Sequence, residues 1–177
     1  MKKTLFPLIV LLTGALILVV SFFLPFYSAV GEFRESLLSD PEDQVPGFDM
    51  TAKELINLPI PRLIKLYSSF AKYDVDALVN LVIISMLILF SALIILFISL
   101  RKAIPTIVFT VLDFGALLLM NVGGLNENYF GHGAAFYIFI ISFAVISAAA
   151  IWLLVVKIKI KKASANNSLD PLTAPEG

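Results

Sequence analysis

The sequence predicts an all-α membrane protein: a four-transmembrane-helix bundle with an extracytoplasmic cap made of a loop and short helices. Of the 177 residues, 59% are hydrophobic and 15% are charged, and the mean hydropathy is +0.96. Soluble domains average about half apolar and about a quarter charged. The apolar residues fall into four runs, each long enough to cross the roughly 30 Å hydrocarbon core as a helix. These runs lie at about 5–24, 77–100, 104–122 and 134–156.

The first run follows two lysines and ends before Pro25, because proline cannot continue a helix. A cleaved signal peptide is the alternative interpretation, but its apolar region would span only about 7–15 residues. The run here has twenty residues. The sequence Tyr27-Ser28-Ala29 is also a poor cleavage site, since a bulky tyrosine stands where a small residue is needed. We therefore predict an uncleaved first span.

Residues 25–76 form the larger of two predicted extracytoplasmic loops. Phe26–Phe33 is short and mixed in character, and a strand is one interpretation of it. Leu37–Phe48 is rich in acidic residues and prolines, which is typical of an irregular loop. Thr51 and Glu54 have capping-box spacing, in which each side chain accepts a hydrogen bond from the other residue's amide. A short helix should therefore run from there to about Asn57.

A second short helix should begin near Pro61, because proline suits the first turn of a helix. Its apolar side chains recur at i, i+3, i+4 and i+7, and these are Leu63, Leu66, Tyr67 and Phe70. About ten residues is too short to cross a bilayer. This amphipathic helix therefore either lies in the headgroup region or caps the bundle.

The remaining connections are polar. Asp74 and Asp76 precede the second span, where carboxylates suit the positive end of the helix dipole. A tight Arg101–Lys102 turn joins the second and third spans, and a glycine-rich extracytoplasmic loop, 123–133, joins the third and fourth. Residues 163–177 are polar and contain two prolines, which predicts a disordered cytoplasmic tail. Residues 1–162 then make up the transmembrane domain.

The charges are unevenly distributed between the two sides of such a bundle. The side with both termini and the 101–102 turn carries eight Lys and Arg residues and two acids. The side with loops 25–76 and 123–133 carries five basic residues and ten acids. The positive-inside rule therefore predicts that both termini are cytoplasmic. We expect the bacterial plasma membrane as the location.

The third run contains one carboxylate, Asp113, near the bilayer midplane. A charge there costs about 2.5–3.5 kcal/mol on insertion scales, so Asp113 should face the bundle interior. Thr106 and Thr110 share its helical face, and no Lys, Arg or His lies within any span. One interpretation is a protonatable site or cation ligand on a transport pathway. The other is a neutral carboxyl that joins helices by bonding to a partner protein or to Ser and Thr hydroxyls. The candidate hydroxyls at that depth are those of Thr13, Ser85, Ser91, Ser142 and Ser147.

Other chemistry is restricted by composition. The chain has no cysteine and one histidine, His132, which excludes thiolate chemistry and His-rich metal sites. Glu127 and His132, together with the acidic residues at 40–43, could bind a cation, but their spacing does not match a calcium loop. No nucleophile, zinc-protease or phosphate-loop motif occurs. We expect no cofactor, no metal and no nucleic-acid partner.

Two short motifs carry a resemblance to known proteins. Leu24-Pro25-Phe26-Tyr27 at the exit of the first span and Gly47-Phe48-Asp49-Met50 in the loop resemble small, uncharacterised four-span bacterial membrane proteins. The layout is also similar to the claudin-like tetraspan arrangement, in topology only, because the chain has no cysteine and its one tryptophan is Trp152. Such a resemblance implies a fold rather than a function.

The absence of catalytic motifs beside an elaborated loop predicts a non-enzymatic protein. We expect an interaction or accessory subunit, or a structural protein of the cell envelope, that uses its large extracytoplasmic loop. Its partners would be the lipid bilayer and either another protein or further copies of itself. The alternative is a small transporter or channel, proton- or cation-coupled, that uses Asp113.

Overall fold

The computed structural model describes residues 2–45, 47, 50–122 and 125–167, with side chains between residues 4 and 165. Within these ranges the chain forms seven helices and three short strands. In chain order they are α1 (Lys2–Ser21), β1 (Tyr27–Ala29), α2 (Gly31–Ser39), α3 (Ala52–Ile56), β2 (Asn57–Leu58), α4 (Ile60–Phe70), α5 (Val75–Ser99), α6 (Ala103–Val122), β3 (Phe130–His132) and α7 (Ala134–Asn167).

Four of these helices, α1, α5, α6 and α7, are long and apolar enough to cross a membrane. They pack as a bundle in which α1 contacts α7, α7 contacts α6, and α6 contacts α5. Gly14 brings α1 close to α7, since a Cβ atom on Gly14 would lie 2.8 Å from Ile146 Cγ1. Large apolar side chains such as Leu16 and Ile141 remain exposed on the outside of the bundle. A hydrocarbon surrounding accounts for this pattern, because lipid tails solvate such side chains at no cost.

The cap consists of β1, α2, α3, β2, α4 and β3, and it covers the end of the bundle where α1 and α6 finish. The three strands form one antiparallel sheet in the order β2-β1-β3. In its register Tyr27 of β1 lies between Leu58 of β2 and His132 of β3. The Gly133 amide, just before α7, extends the pairing of β1 with β3, since Gly133 N donates to Phe26 O at 2.8 Å. The sheet thus joins the segment that follows α1 to the segments that precede α4 and α7.

The opposite end of the bundle holds the start of α1, the 100–102 turn and the end of α7. Arg101 closes that turn with a φ of 55°, in the left-handed region. The Lys157 ammonium of α7 donates a hydrogen bond to the Arg101 carbonyl oxygen. This contact fixes α7 against the turn between α5 and α6.

The local signals in the cap are confirmed. Thr51 N donates to Glu54 Oε2 at 3.1 Å, and Glu54 N donates to Thr51 Oγ1 at 3.4 Å, which completes the capping box. The helix that it opens ends at Ile56, and α4 begins at Ile60 with Pro61 in its first turn. The four predicted spans are also present, each beginning and ending within three residues of the prediction except at the far end of α7.

The helical bundle is present as predicted, but the predicted loops need correction in detail. β1, β2 and β3 form a small sheet, and β3 lies in the predicted glycine-rich loop. The strand predicted within Phe26–Phe33 is confirmed only for Tyr27–Ala29, since α2 begins at Gly31 and runs into the predicted irregular loop. Gly31 takes a φ of +55°, which turns the chain, and Leu37 buries the inner face of α2.

The fourth span is also longer than predicted. α7 continues to Asn167, so residues 163–167 are helical rather than part of a disordered tail. Lysine and alanine are good helix formers, and no proline lies between Ala134 and Pro171, so the sequence has no helix-breaking residue near position 162. The predictions for residues 168–177, for Phe48 and Asp49, and for Gly123 and Gly124 lie outside the described residues.

Candidate functional site

Asp113 lies inside the bundle, at the contact between α5 and α6, and is 0% exposed. Ser91 Oγ on α5 donates a hydrogen bond of 2.6 Å to Asp113 Oδ2. The other oxygen, Oδ1, is buried and has no hydrogen-bond partner in the described part of the chain. The carboxyl group is therefore enclosed by the protein and faces neither lipid nor a neighbouring molecule.

The structure selects one of the candidate hydroxyl partners. Thr13, Ser85 and Ser142 each donate to a carbonyl oxygen four residues earlier in their own helix, and so make no hydrogen bond to Asp113. Ser91 instead points across to α6, where it meets the carboxyl group. The result is a direct polar link between two spans, of the kind that holds membrane helices together.

Thr106 and Thr110 share the buried face of Asp113, as the helical spacing predicts, and each is 1% exposed. Their hydroxyls do not reach the carboxyl group. Thr106 Oγ1 donates to Lys102 O at 2.8 Å, and Thr110 Oγ1 donates to Thr106 O at 2.7 Å. The polar stripe is present on the helix, but its hydroxyl groups donate to the backbone of α6 itself.

The amphipathic helix α4 packs against α5, so it caps the bundle through its own apolar face. Leu63, Leu66 and Tyr67 on this face are buried, and Phe70 is half-buried. Arg62 Nη1 donates to Asn57 O at 3.0 Å, which joins the start of α4 to β2. The apolar face of α4 is therefore covered by the protein's own side chains.

A cleft lies where α4 meets the first turns of α5 and the end of α6. We call it the cap cleft, and its volume is about 570 Å³. Its aromatic wall is Tyr67 and Phe70, and Asp74 and Asp76 also line it. The Tyr67 hydroxyl is buried and has no hydrogen-bond partner among the described residues. Burial raises the pKa of Tyr67 above its usual value, with a smaller contribution from the nearby Tyr27 phenol.

Tyr27 and His132 connect the sheet of the cap to α6 and α7. The Tyr27 hydroxyl donates to Met120 O at 3.3 Å, and burial raises the pKa of Tyr27 to about 12. His132 Nε2 shares a hydrogen bond with Asn121 Oδ1, and its ring centroid lies 4.1 Å from that of Phe136. These two contacts hold the His132 ring against α6 and α7. No cluster of three or more His, Asp or Glu side chains that could hold a metal occurs in the described ranges.

The cap cleft is the feature that sequence reasoning missed. It brings Tyr67 and Phe70 beside Asp74 and Asp76, and Leu125 from the loop that follows α6 lines it as well. One signal was available in the sequence, because two aromatic residues on one helical face are followed within a few positions by two carboxylates. The contribution of Leu125 depends on the packing of α6 and has no local signal.

No family model matches the chain, and neither a curated protein nor a solved structure matches it.

Proposed function

We propose that this chain is a non-enzymatic protein of the bacterial plasma membrane that acts as an interaction or accessory subunit through its cap. In this proposal both termini are cytoplasmic and the cap is extracytoplasmic. The charge asymmetry supports that orientation, since eight of the thirteen Lys and Arg residues belong to the end opposite the cap. A structural role in the cell envelope belongs to the same class, with the partner being another envelope component or a second copy.

One observation carries the proposal, namely an exposed apolar patch on the folded cap. Val30, Phe33 and Tyr129 meet there, because Val30 N donates to Tyr129 O at 3.0 Å and the Phe33 and Tyr129 rings lie 5.3 Å apart. Tyr129 is 50% exposed and Val30 is 37% exposed. The patch lies outside the four spans, so lipid tails do not account for it. Exposed apolar groups rimmed by polar residues are typical of protein interaction sites.

Affinity purification from a mild detergent tests the proposal. The wild-type protein should be recovered with a stoichiometric partner or as an oligomer, and Tyr129→Asp should release that partner because it places a charge in the patch. Tyr73→Asp is the matched control, since Tyr73 lies in the turn between α4 and α5, is 90% exposed and is not part of the patch. Reproducible recovery of the wild-type protein alone, as a monomer, would refute the proposal.

A small transporter or channel that uses Asp113 is the second candidate. It is favoured by the unpaired Oδ1 atom, because a carboxylate oxygen with no partner in the described structure is free to take a proton or a cation. Proton and cation flux into liposomes should then be abolished by Asp113→Asn and retained in Ser85→Ala. Absence of flux in the wild-type protein under every imposed gradient would exclude this candidate.

A further inference from the structure

A groove follows one face of α7 where this helix leaves the bundle, at the end opposite the cap. Its volume is about 510 Å³, and the described residues that line it are Trp152, Val156, Lys159, Ile160 and Ala163. We call it the α7 groove. Every side chain from Lys157 to Ala165 is exposed, so the outer half of the groove lies beyond the packed part of the bundle.

The α7 groove changes from apolar to basic along the helix axis. Trp152 lies at its inner end, where the indole ring packs against Phe6 of α1 at a centroid distance of 5.3 Å. Val156 follows one turn later, and Lys159 about one turn after that. At about 1.5 Å per residue the groove is about 16 Å long, and one bilayer leaflet with its head groups measures about 20 Å. The groove therefore has the length and the polarity of one phospholipid.

The charges at this end of the bundle are all of one sign in the described part of the chain. Residues 2–10, 97–107 and 150–167 contain eight Lys and Arg residues and no Asp or Glu. Both ion pairs formed by described residues lie in the cap. The Lys159 ammonium thus has no carboxylate partner in the described structure. Basic residues next to a span attract anionic lipids, so the field at the groove favours a negatively charged ligand.

The same charges distinguish between classes of phospholipid. Every phospholipid offers a phosphate group, to which a lysine ammonium can donate a charge-assisted hydrogen bond. A choline or ethanolamine head group adds a cation, which would meet only like charges among the described residues at this end of the bundle. A glycerol head group adds hydroxyls and no positive charge. The groove therefore suits a phospholipid with a net negative charge better than a zwitterionic one.

We propose that the α7 groove binds an anionic phospholipid of the phosphatidylglycerol class, taken from the leaflet at the end opposite the cap. Lys159 would bind the phosphate, because long side chains on a helix lean toward its N-terminus and the ammonium thus reaches back toward Val156. The indole N–H of Trp152 would donate to an ester oxygen, and the acyl chain would pack beside Trp152 and Phe6. An acidic protein segment fits less well, because the inner half of the groove is apolar and belongs to a span.

The fluorescence of Trp152 reports on the groove, because it is the single tryptophan of the chain. The full-length protein is reconstituted into dioleoyl phosphatidylcholine bilayers with increasing fractions of dibrominated phosphatidylglycerol or, as the reference, of dibrominated phosphatidylcholine. Bromine quenches tryptophan at short range. The brominated glycerol lipid should quench more at equal mole fraction, with a relative binding constant roughly fivefold in its favour. The excess should fall as the salt concentration rises. Equal quenching by the two lipids would overturn the proposal.

Two lysine variants separate a site from general charge attraction. Lys159 lies about two turns from Trp152 and on the same face, whereas Lys161 lies about two and a half turns away and on the opposite face. Lys159→Gln should remove the preference for the glycerol lipid, and Lys161→Gln should retain it within about twofold. Both changes remove one exposed positive charge and introduce a good helix former, so both variants should fold like the wild type.

Two outcomes of this comparison would refute the assignment. Equal losses in Lys159→Gln and Lys161→Gln would show attraction to the basic end as a whole. Loss of the wild-type preference on addition of soluble glycerol phosphate would identify a free phosphate ester as the ligand. Neither variant alters the cap, so these results are independent of the partner-binding test at Tyr129.

Discussion

The link between Ser91 and Asp113 predicts a measurable coupling between α5 and α6. The change to make is Ser91→Ala, Asp113→Ala and the double variant, so that a double-mutant cycle isolates the pairwise energy. Both side chains are buried, at 2% and 0% exposure, and the bond joining them is 2.6 Å long. Removing Ser91 alone leaves both carboxyl oxygens of Asp113 without a partner in the described structure, at a cost of about 1–3 kcal/mol.

The expected coupling is smaller than the cost of the single change. Interhelical hydrogen bonds measured by such cycles in membranes average about 0.6 kcal/mol and reach about 1.7 kcal/mol. We expect a value of about 1 kcal/mol here, because the bond is short and fully enclosed. The Asp113→Ala variant also leaves a small cavity, but this contribution cancels in the cycle.

Reversible unfolding in mixed micelles of dodecyl maltoside and sodium dodecyl sulfate, followed by circular dichroism, gives the four free energies. Ser85→Ala is the matched control in a second cycle with Asp113→Ala, because Ser85 lies on the same helix but donates to Leu81 O. Its coupling should lie within about 0.3 kcal/mol of zero. A Ser91 coupling equally close to zero would refute the interpretation of Asp113 as a link between helices.

Three further predictions concern the cap. Gly133→Ala should destabilise the protein by about 2–4 kcal/mol, because its Cβ would lie 2.2 Å from the Pro25 carbonyl oxygen. Gly115→Ala, with no atom within 4 Å of the added carbon, should not destabilise it, and equal Tm values for the two variants would contradict the packing argument. Thr51→Ala should cost about 1 kcal/mol in unfolding free energy, and Thr51→Ser should restore it, because serine keeps the capping oxygen. Burial raises the pKa of Tyr27 to about 12, so its stabilising effect should be complete below pH 10 and be lost as the pH rises to about 12. The wild type should therefore lose about 2–3 kcal/mol more than Tyr27→Phe over that interval, and parallel pH profiles would contradict this.

The parts of the fold that were predictable are those specified by local chemistry. The spans follow from long apolar runs, which have few competing interpretations, and α5 and α6 begin and end within two residues of the prediction. The start of α3 follows from the capping box, which involves Thr51 and Glu54 alone. The burial of Asp113 follows from the cost of exposing a carboxylate to lipid.

The parts that were not predictable depend on contacts between distant segments. β2 has two residues and β1 and β3 have three each, which is too short for an alternating pattern to be recognised. Their pairing joins segments that lie far apart in the sequence, since Tyr27 pairs with both Leu58 and His132. The choice of Ser91 over Ser85 depends on the rotation of α5 relative to α6, and the cap cleft depends on where α4 rests. No local spacing encodes these relations.

The position of β1 at the centre of the sheet has a consequence for biosynthesis. β1 and β2 are synthesised early, but β3 follows the third span, so one edge of β1 has no strand partner until residues 130–132 arrive on the same side of the membrane. A chain whose last two spans enter in the wrong orientation would place β3 on the other side. It would then present an unpaired strand edge, which favours association with other chains. Completion of three short strands therefore makes the folding of the cap conditional on the correct insertion of the last spans.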